Sequence, residues 1–564
     1  MLTRETTVNH LEILQSTPAA QVGTGRNNLL IKSTGKFYTP KFLGERLVDT
    51  VLTVASRIEH NGELSVIDPF CGDGRLIVWL LERALIFPCL TNRSWRIEIW
   101  DCDEQAVIQA KQAIEQTANH LGISFTLKAF VHDGFAYFIS QFRNRQPCSE
   151  FKFDITITNP PWEVVKPDRR DIKILDEQTE SIYIDSLRKL SKKLQRNFPL
   201  STPRKMFAGW GVNLARVGLE VAVHLTKSHG FTGIVSPASF LSDQNSETLR
   251  KWLLTNHAIK YIDYFPAEAR LFEGVDQDCV NITIQVNSPR QKTFIYKFDK
   301  HLRCIEYHQE LQLPEKLLKS NGHVIPVSSN KSQLNYLIRF SELQTLGELQ
   351  GDCEGQLWTG RELDETGHTS YLSLQGYYPF LKGKMIERLT SINQPSLFIH
   401  PENGPSIPPS VKYPRIVWRD VSRPTQKRRV QATIIPENWV TGNSLGVAHF
   451  RTNDFSRLYP LLGIMSSLPF EFQVRSMLST AHVSVGVLRK TRIPPITPEL
   501  TTKLVLMVER RLAGDLAAEL EIEIVVAQAY GLEREDLAEI MKSFPKLTLE
   551  ERQNLLYHPR WGKS

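Results

Sequence analysis

Four consecutive residues, Asn159-Pro160-Pro161-Trp162, combine polar acceptors, a stiff backbone and a broad aromatic face. Because prolines fix φ and lack an amide hydrogen, the Pro160 carbonyl can remain available as an acceptor. If this carbonyl and the Asn159 side-chain oxygen each accept one N–H from a planar exocyclic amine, the nitrogen turns towards tetrahedral geometry and can attack an electrophile. Trp162 offers a surface on which an extruded base can stack. An isolated Asn-Pro is usually only a turn, so the surrounding elements decide between the two interpretations.

A second group of residues predicts a site for a nucleoside-bearing cofactor. Asp68 ends an apolar strand, and Pro69 leads into a turn that contains Gly72 and Gly74. Glycines allow backbone torsions and a close ligand approach that a Cβ would prevent. The turn is neither Gly-x-Gly-x-x-Gly nor Gly-Lys-Ser/Thr, which disfavours a pyrophosphate or triphosphate ligand. A carboxylate beside the turn suits a cationic ligand, and the amino group of S-adenosylmethionine fits.

Two further acids follow the next two strands. We expect Asp101 to accept from ribose hydroxyls, and Asp133 to accept from the adenine amino group of the cofactor while Phe135 lines the ring. Any one of these acids, taken alone, is more simply a helix N-cap or a solvated strand end. Three acids after three successive strands favour the cofactor site, and they give weight to the tetrapeptide one strand later.

Apolar β-branched runs alternate with helical stretches from residue 64 to residue 158, which predicts a parallel α/β sheet built from βαβ units. In front of it, Thr39 is a candidate N-cap and Pro40 a candidate first residue of a helix. The charged, weakly periodic residues 163–205 suggest an insertion or lid. Strands resume at 231–236, 261–265 and 280–286.

These motifs resemble those of γ-class adenine-N6 DNA methyltransferases of type II (type IIS-like) restriction–modification systems. Residues 35–40 resemble the opening cofactor motif, 68–74 the glycine loop and 159–162 the catalytic tetrapeptide. The resemblance implies a Rossmann-like, S-adenosylmethionine-dependent fold with a C-terminal target-recognition domain and terminal helices. It also implies cofactor contacts by Phe37, Thr39 and Pro40, and stacking of Phe272 on the other face of a flipped adenine. Many relatives have Tyr where this chain has Trp162, a change that preserves stacking.

The resemblance also divides the chain. We predict a lead-in at 1–34, a catalytic domain at 35–300, a linker at 301–345, a target-recognition domain at 346–500 and a helical segment at 501–564. The expected activity is site-specific adenine methylation of double-stranded DNA, which protects it from a cognate restriction endonuclease that is a separate protein.

Basic and aromatic residues cluster in the expected recognition domain. By composition this cluster could equally be a solvated basic loop. Residues 461–495 and 380–384 resemble parts of the target-recognition domains of type I specificity subunits, which favours DNA contact. The candidate DNA-binding residues are Lys382, Lys384, Arg415, Arg419, Arg423 and Arg428.

Composition sets the outer limits. With 564 residues, 41% hydrophobic and 23% charged, the chain is typical of globular proteins with two to four domains. It has no signal-peptide pattern or apolar run of membrane-spanning length, so we expect a cytoplasmic protein without a membrane partner. Seven scattered cysteines without a Cys-x-x-Cys pair argue against disulfides and a zinc site, and we predict no metal.

Other functions share some of these features. Glutamine-N5 protein methyltransferases and RNA guanine-N2 methyltransferases use the same tetrapeptide chemistry, although they are typically smaller and lack a long C-terminal region. A DNA-binding specificity subunit with an inactive methyltransferase fold is a further alternative. The intact set of Asp68, Gly72, Gly74 and Asn159 argues against it.

Overall fold

The chain folds into two compact units that divide between Gln312 and Leu313. Phe37 and the lead-in 1–34 lie outside the residues that can be described. The computed structural model describes residues 38–57, 62–143, 152–168, 172, 175–203, 210–289, 291–309, 315–327, 330–351, 355–364, 369–392, 395, 397–400, 406–423, 426–452, 454–478 and 481–562.

A single mixed sheet forms the centre of the first unit. Its strand order is β3-β2-β1-β4-β5-β7-β6-β8-β9, and the five strands from β3 to β5 run parallel. β7 is antiparallel to both β5 and β6. The strands are β1 (Leu64–Asp68), β2 (Trp95–Asp101), β3 (Phe125–Val131), β4 (Phe153–Thr158), β5 (Thr226–Pro237), β6 (Ala258–Phe265), β7 (Cys279–Gln285), β8 (Phe294–Phe298) and β9 (Cys304–Gln309).

Helices cover the sheet because its central strands are apolar on both faces; all five residues of β1 are buried. One apolar cluster includes Leu47 and Leu80, and a second on other helices includes Phe138 and Val221. The α-helices of this unit are Lys41–Ala55, Arg75–Ala84, Pro88–Thr91, Glu104–His120, Gly134–Phe138, Glu177–Asn197, Leu214–Leu225 and Glu247–Asn256.

The sheet has one point at which the strand order reverses. From β1 the chain adds β2 and β3 on one side and, later, β4 and β5 on the other. Ligands of open α/β sheets bind outside the carboxyl ends of the strands at such a point. The strand order therefore puts the candidate site at the ends of β1 and β4, where Asp68 and Asn159 lie.

The segment expected to be an insertion or lid contains a well-packed helix, Glu177–Asn197. The Asp176 side chain caps it by accepting from the Thr179 amide at 2.9 Å. Tyr183, Leu187 and Leu194 are buried in the second apolar cluster of the unit. The apolar stripe is narrow and the rest of the surface charged, which explains why the periodicity looked weak.

Two predicted boundaries differ from the structure. β9 belongs to the sheet of the first unit, so the catalytic domain continues beyond residue 300. The helix Lys331–Phe340 belongs to the second unit, where Tyr336 donates to Asp536 at 2.9 Å. Residues 301–345 are thus divided between the units and form no separate linker.

The second unit contains two four-stranded sheets, with the orders β10-β17-β14-β15 and β11-β13-β12-β16. The helices after residue 500 pack into this unit rather than forming a segment of their own. The strands are β10 (Leu357–Gly360), β11 (Leu372–Ser373), β12 (Tyr378–Leu381), β13 (Phe398–Ile399), β14 (Arg415–Arg419), β15 (Ala432–Ile435), β16 (Val440–Thr441) and β17 (Leu445–Phe450). The α-helices are Glu315–Asn321, Lys331–Phe340, Leu458–Met465, Leu468–Met477, Val485–Lys490, Pro498–Leu512, Ala517–Ala529, Arg534–Met541 and Leu549–Leu556.

Throughout the described parts of both units, every helix is too short or too polar to cross a lipid bilayer.

Candidate functional site

Asp68 lies at the end of β1 and is fully buried. Its Oδ1 accepts from the Thr158 hydroxyl at 2.6 Å and from the Phe70 amide at 3.1 Å. Its Oδ2 is also buried and has no hydrogen-bond partner among the described residues. Burial raises the pKa of Asp68 to about 7, against the opposing effect of these hydrogen bonds. A buried carboxylate with one unsatisfied oxygen is suited to a cationic ligand.

The turn after Asp68 depends on its glycines. Gly72 and Gly74 have φ values of 51° and 79°, which L side chains rarely adopt. A Cβ on Gly74 would lie 2.8 Å from the Ala110 Cβ, so the turn also packs tightly on the helix Glu104–His120. Buried Pro69 precedes the turn, and its carbonyl lies 2.5 Å from where a Cβ on Gly134 would be. The loop is therefore held close to both neighbouring strand ends.

Asp101 and Asp133 lie at the carboxyl ends of β2 and β3, as expected, and both accept hydrogen bonds from nearby backbone amides. Asp101 Oδ2 accepts from the Gly72 amide at 2.9 Å, and its Oδ1 accepts from the Asp103 amide at 3.0 Å. Asp133 Oδ1 accepts from the Phe135 amide at 2.9 Å and caps the helix Gly134–Phe138. The ring of Phe135 is buried 4.7 Å from that of Phe70, centroid to centroid. Since a carboxylate offers about four acceptor positions, these bonds leave capacity for a ligand.

Asn159 follows β4, and its side chain is oriented by Thr39, which we expected to contact the cofactor. Its Nδ2 donates to the Thr39 hydroxyl at 3.2 Å, which fixes the direction of the carboxamide. Thr39 is not the N-cap that the sequence suggested, because Pro40 occupies that position and no side chain caps the helix Lys41–Ala55. The side chain of Thr39 contacts Asn159 instead.

The segment 38–40 is tied to the glycine loop by Arg75. The guanidinium donates to the Thr39 carbonyl at 3.0 Å and lies 4.9 Å from the centre of the Tyr38 ring. It also forms an ion pair with Asp73 at 2.6 Å. Arg75 thereby connects residues 38–40, the glycine loop and, through Thr39, the side chain of Asn159.

Pro160 is buried against a glycine in the helix Leu214–Leu225. A Cβ on Gly218 would lie 2.3 Å from the Pro160 Cβ and 2.8 Å from its Cγ. Contacts this short never occur between real carbons, so only glycine allows Pro160 its position. Pro161 is half-buried beside it. The two prolines were expected to make this backbone rigid, and Pro160 packs at a specific position on a neighbouring helix.

Trp162 and Phe272 contact each other in this structure. Their ring centroids are 4.8 Å apart and their planes are inclined by 67°, an edge-to-face contact. A base stacked between two rings requires a separation of about 7 Å, since each aromatic contact takes about 3.5 Å. The pairing of these two residues agrees with a common site, and stacking of Phe272 on a flipped base remains a prediction that requires the rings to separate.

Three of the six candidate DNA-binding residues hold the second unit together. Arg415 is buried and forms an ion pair with buried Glu362 at 3.0 Å. Arg428 is buried between Glu471 at 3.0 Å and Glu523 at 2.6 Å. Arg419 donates to the Ile386 carbonyl at 2.9 Å. The prediction that Arg415 and Arg428 contact DNA is therefore wrong, because their buried guanidinium groups pair with interior carboxylates. Arg419 is half-buried and stays a prediction.

The other three candidates remain available to a ligand. Lys384 and Arg423 are exposed and Lys382 is half-buried. None of them has an ion-pair partner among the described residues, in contrast to Arg415 and Arg428. They stay predictions for DNA contact.

Sequence reasoning missed Thr158, Arg75 and Gly218. A threonine at the end of an otherwise apolar buried strand indicates a hydrogen-bond partner. A glycine within a helical pattern indicates a close packing contact. Neither signal identifies the partner, since Gly218 and Pro160 are far apart along the chain.

Residues 93–272 match the family model of Eco57I restriction-modification methylases. The chain is 20% identical over 288 residues to the type II methyltransferase M.VspI of Vibrio sp. (strain 343), covering 51% of this chain and 55% of that protein. The chain therefore spans about half the length of this curated relative. These matches confirm the resemblance to methyltransferases of restriction–modification systems.

Solved structures confirm the predicted fold class. The type IIL restriction-modification enzyme MmeI in complex with DNA is similar at a TM-score of 0.51 and 11% identity, covering 97% of this chain and 78% of that one. A nuclease-deletion mutant of the type ISP enzyme LlaGI is similar at a TM-score of 0.51 and 12% identity, covering 85% and 55%. At these identities the likeness concerns the fold alone.

Proposed function

We propose that this protein transfers a methyl group from S-adenosylmethionine to N6 of a flipped adenine in a short sequence of double-stranded DNA. The observation that carries the proposal is the meeting of the two predicted motifs at the ends of β1 and β4. The hydroxyl of Thr158 bonds to Asp68 at 2.6 Å, and the next residue in the chain is Asn159. The residues proposed to bind the cofactor and those proposed to accept from the target amine would thus adjoin each other.

The residues present fit the cofactor. The unsatisfied buried Oδ2 of Asp68 would accept from its cationic amino group, and the turn at Gly72 and Gly74 would admit it closely. Asp101 and Asp133 would accept from its ribose and adenine groups. When bound, S-adenosylmethionine supplies an electrophilic methyl group on a sulfonium centre.

The catalytic loop would supply orientation rather than a strong base. Thr39 holds the Asn159 carboxamide, and the contact with Gly218 fixes Pro160. The side-chain oxygen of Asn159 and the carbonyl of Pro160 would then accept the two N–H groups of the target amine. This directs the nitrogen lone pair towards the methyl group. Trp162 would stack on the extruded base.

DNA is the preferred substrate because of the relatives and the second unit. MmeI, similar in fold, is a restriction-modification enzyme solved in complex with DNA. The second unit would read the sequence, with Lys382, Lys384 and Arg423 as candidate contacts. Protection of DNA from a separate cognate endonuclease would follow from this activity.

The test is modification-sensitive sequencing of DNA from cells that express the protein, with an Asn159→Ala variant as the matched control. We expect N6-methyladenine at one short sequence in the first sample and none in the second. Methylcytosine alone, or unmodified DNA accompanied by methylated RNA or protein, would refute the proposal. Binding of S-adenosylmethionine by both proteins, measured by calorimetry, would show that the variant retains the cofactor site.

A further inference from the structure

The helix Glu177–Asn197 carries a basic surface that the sequence predictions did not assign to any function. Its C-terminal half contains five exposed cations and no acid after Asp185. We call four of them the basic stripe, because they have no ion-pair partner among the described residues. The stripe consists of Lys189, Lys192, Lys193 and Arg196. The fifth cation, Arg188, pairs with Asp185 at 3.3 Å.

Helix geometry arranges these charges on one face. At about 100° per residue, the four side chains of the stripe occupy an arc of roughly 100°. The apolar residues Tyr183, Leu187 and Leu194 lie on the opposite side, where they pack into the core of the first unit. The stripe therefore faces solvent along its whole length.

The charge density of the stripe matches that of a nucleic-acid backbone. Residues 189 to 196 rise by about 10 Å along the helix axis. Double-stranded DNA carries one negative charge per ~1.7 Å, or roughly six phosphates over the same distance. The four unpaired cations have the same sign, which suits a polyanionic partner.

The stripe is anchored to the same helix as the catalytic loop. Ser201, four residues after the helix Glu177–Asn197 ends, donates to Glu220 at 2.7 Å and to the Arg216 carbonyl at 2.9 Å. Gly218, against which Pro160 packs, lies between these two residues in sequence and hence on the other side of their helix. Ser201, just after the helix that carries the stripe, and Pro160 thus contact opposite sides of one helix of about 10 Å diameter.

From these observations we propose that the basic stripe binds the phosphate backbone of double-stranded DNA next to the extruded base. The inference rests on the proposed function, since it assumes that the duplex approaches Asn159. It adds a sequence-independent contact in the first unit to any sequence reading by the second. Such contacts contribute affinity and position the duplex without selecting bases.

The test compares the full-length wild type and three full-length variants for binding to a mixed-sequence 30-base-pair duplex by fluorescence anisotropy between 50 and 200 mM salt. The stripe variant combines Lys189→Gln, Lys192→Gln, Lys193→Gln and Arg196→Gln. Glutamine has nearly the helix propensity of lysine and arginine, so the helix should persist. The control variant removes the same charge from four exposed lysines elsewhere in the first unit. Its substitutions are Lys111→Gln, Lys128→Gln, Lys251→Gln and Lys300→Gln.

Each phosphate contact contributes about 0.9 to the slope of log K against log salt concentration. We expect the magnitude of this slope to be smaller by about 2 to 3.6 in the stripe variant than in the wild type, and the variant to bind the duplex roughly 10- to 100-fold more weakly. In the control variant the magnitude of the slope should decrease by less than about 1. A third variant, Lys189→Arg with Lys192→Arg and Lys193→Arg, keeps the charge and should bind like the wild type.

Two outcomes separate the proposals. If the wild type methylates DNA while the stripe and control variants have equal slopes, the stripe has no specific role and only this inference fails. If the wild type neither binds nor methylates duplex DNA, both proposals fail. Preferential loss of single-stranded RNA binding in the stripe variant, with duplex binding intact, would also overturn the inference.

Discussion

An alanine at position 218 would test whether the position of Pro160 controls methyl transfer. The new methyl group would lie 2.3 Å from the Pro160 Cβ, whereas carbon atoms pack at about 3.5–4.0 Å. Pro160 and its carbonyl must therefore move by about 1 Å or more. Alanine is favoured over glycine within a helix by about 1 kcal/mol, which offsets part of the strain and keeps the fold.

A displacement of about 1 Å in a positioning group costs roughly 100-fold in rate, or about 2.7 kcal/mol. The assay is single-turnover transfer of radiolabelled methyl from S-adenosylmethionine to the DNA sequence found by sequencing. We expect Gly218→Ala to reduce this rate by about that factor. The affinity for the cofactor should stay within about threefold. The new methyl group would lie 3.6 Å from the Phe70 ring beside the glycine loop, which is an ordinary contact.

The matched control is Gly463→Ala, also within a helix, where the nearest atoms to a new Cβ are 3.3 Å away. We expect its transfer rate to equal that of the wild type. A folded Gly218→Ala protein with a rate within about threefold of the wild type would refute the reasoning. It would mean that Pro160 is not a positioned acceptor.

Four further predictions concern Asn159, Asp68 and the buried ion pairs of the second unit. Asn159→Ala should abolish methyl transfer while calorimetry finds the cofactor affinity unchanged. Burial raises the pKa of Asp68 to about 7, so cofactor affinity should increase up to tenfold between pH 6 and pH 8; a profile that stays steep in Asp68→Asn would contradict this. Because the folded pKa lies above the unfolded value, the free energy of unfolding of the ligand-free protein should fall from about pH 4 to pH 7, less so in that variant. Arg428→Met should cost about 3 kcal/mol in chemical denaturation because it removes a buried cation that pairs with both Glu471 and Glu523, whereas exposed Arg423→Met should cost less than about 0.5 kcal/mol.

The alternation of apolar runs predicted the central sheet well because parallel strands are buried on both faces. Strands alternate with helices from Leu64 to Thr158, as the sequence predicted. The positions of Asp68 and Asn159 at strand ends were equally predictable, since the carboxyl ends of parallel strands meet at one edge.

Recognition residues were harder to predict because basic side chains look alike in sequence whether they pair internally or face solvent. Arg428 contacts glutamates 43 and 95 residues away in the chain. Composition cannot reveal such partners. The same ambiguity concealed the basic stripe, whose neighbours in sequence include the acids of the preceding helical turns.

Asn159-Pro160-Pro161-Trp162 and the glycine loop could be predicted as candidate site residues from the sequence, because the proposed chemistry needs particular residue types at adjacent positions. The contacts that hold these residues in place are visible only in the folded chain. The Thr39 hydroxyl orients Asn159, Gly218 seats Pro160 and Thr158 binds Asp68. Each of these contacts joins residues on different elements, and sequence patterns encode the period of an element but not the neighbour against which it packs.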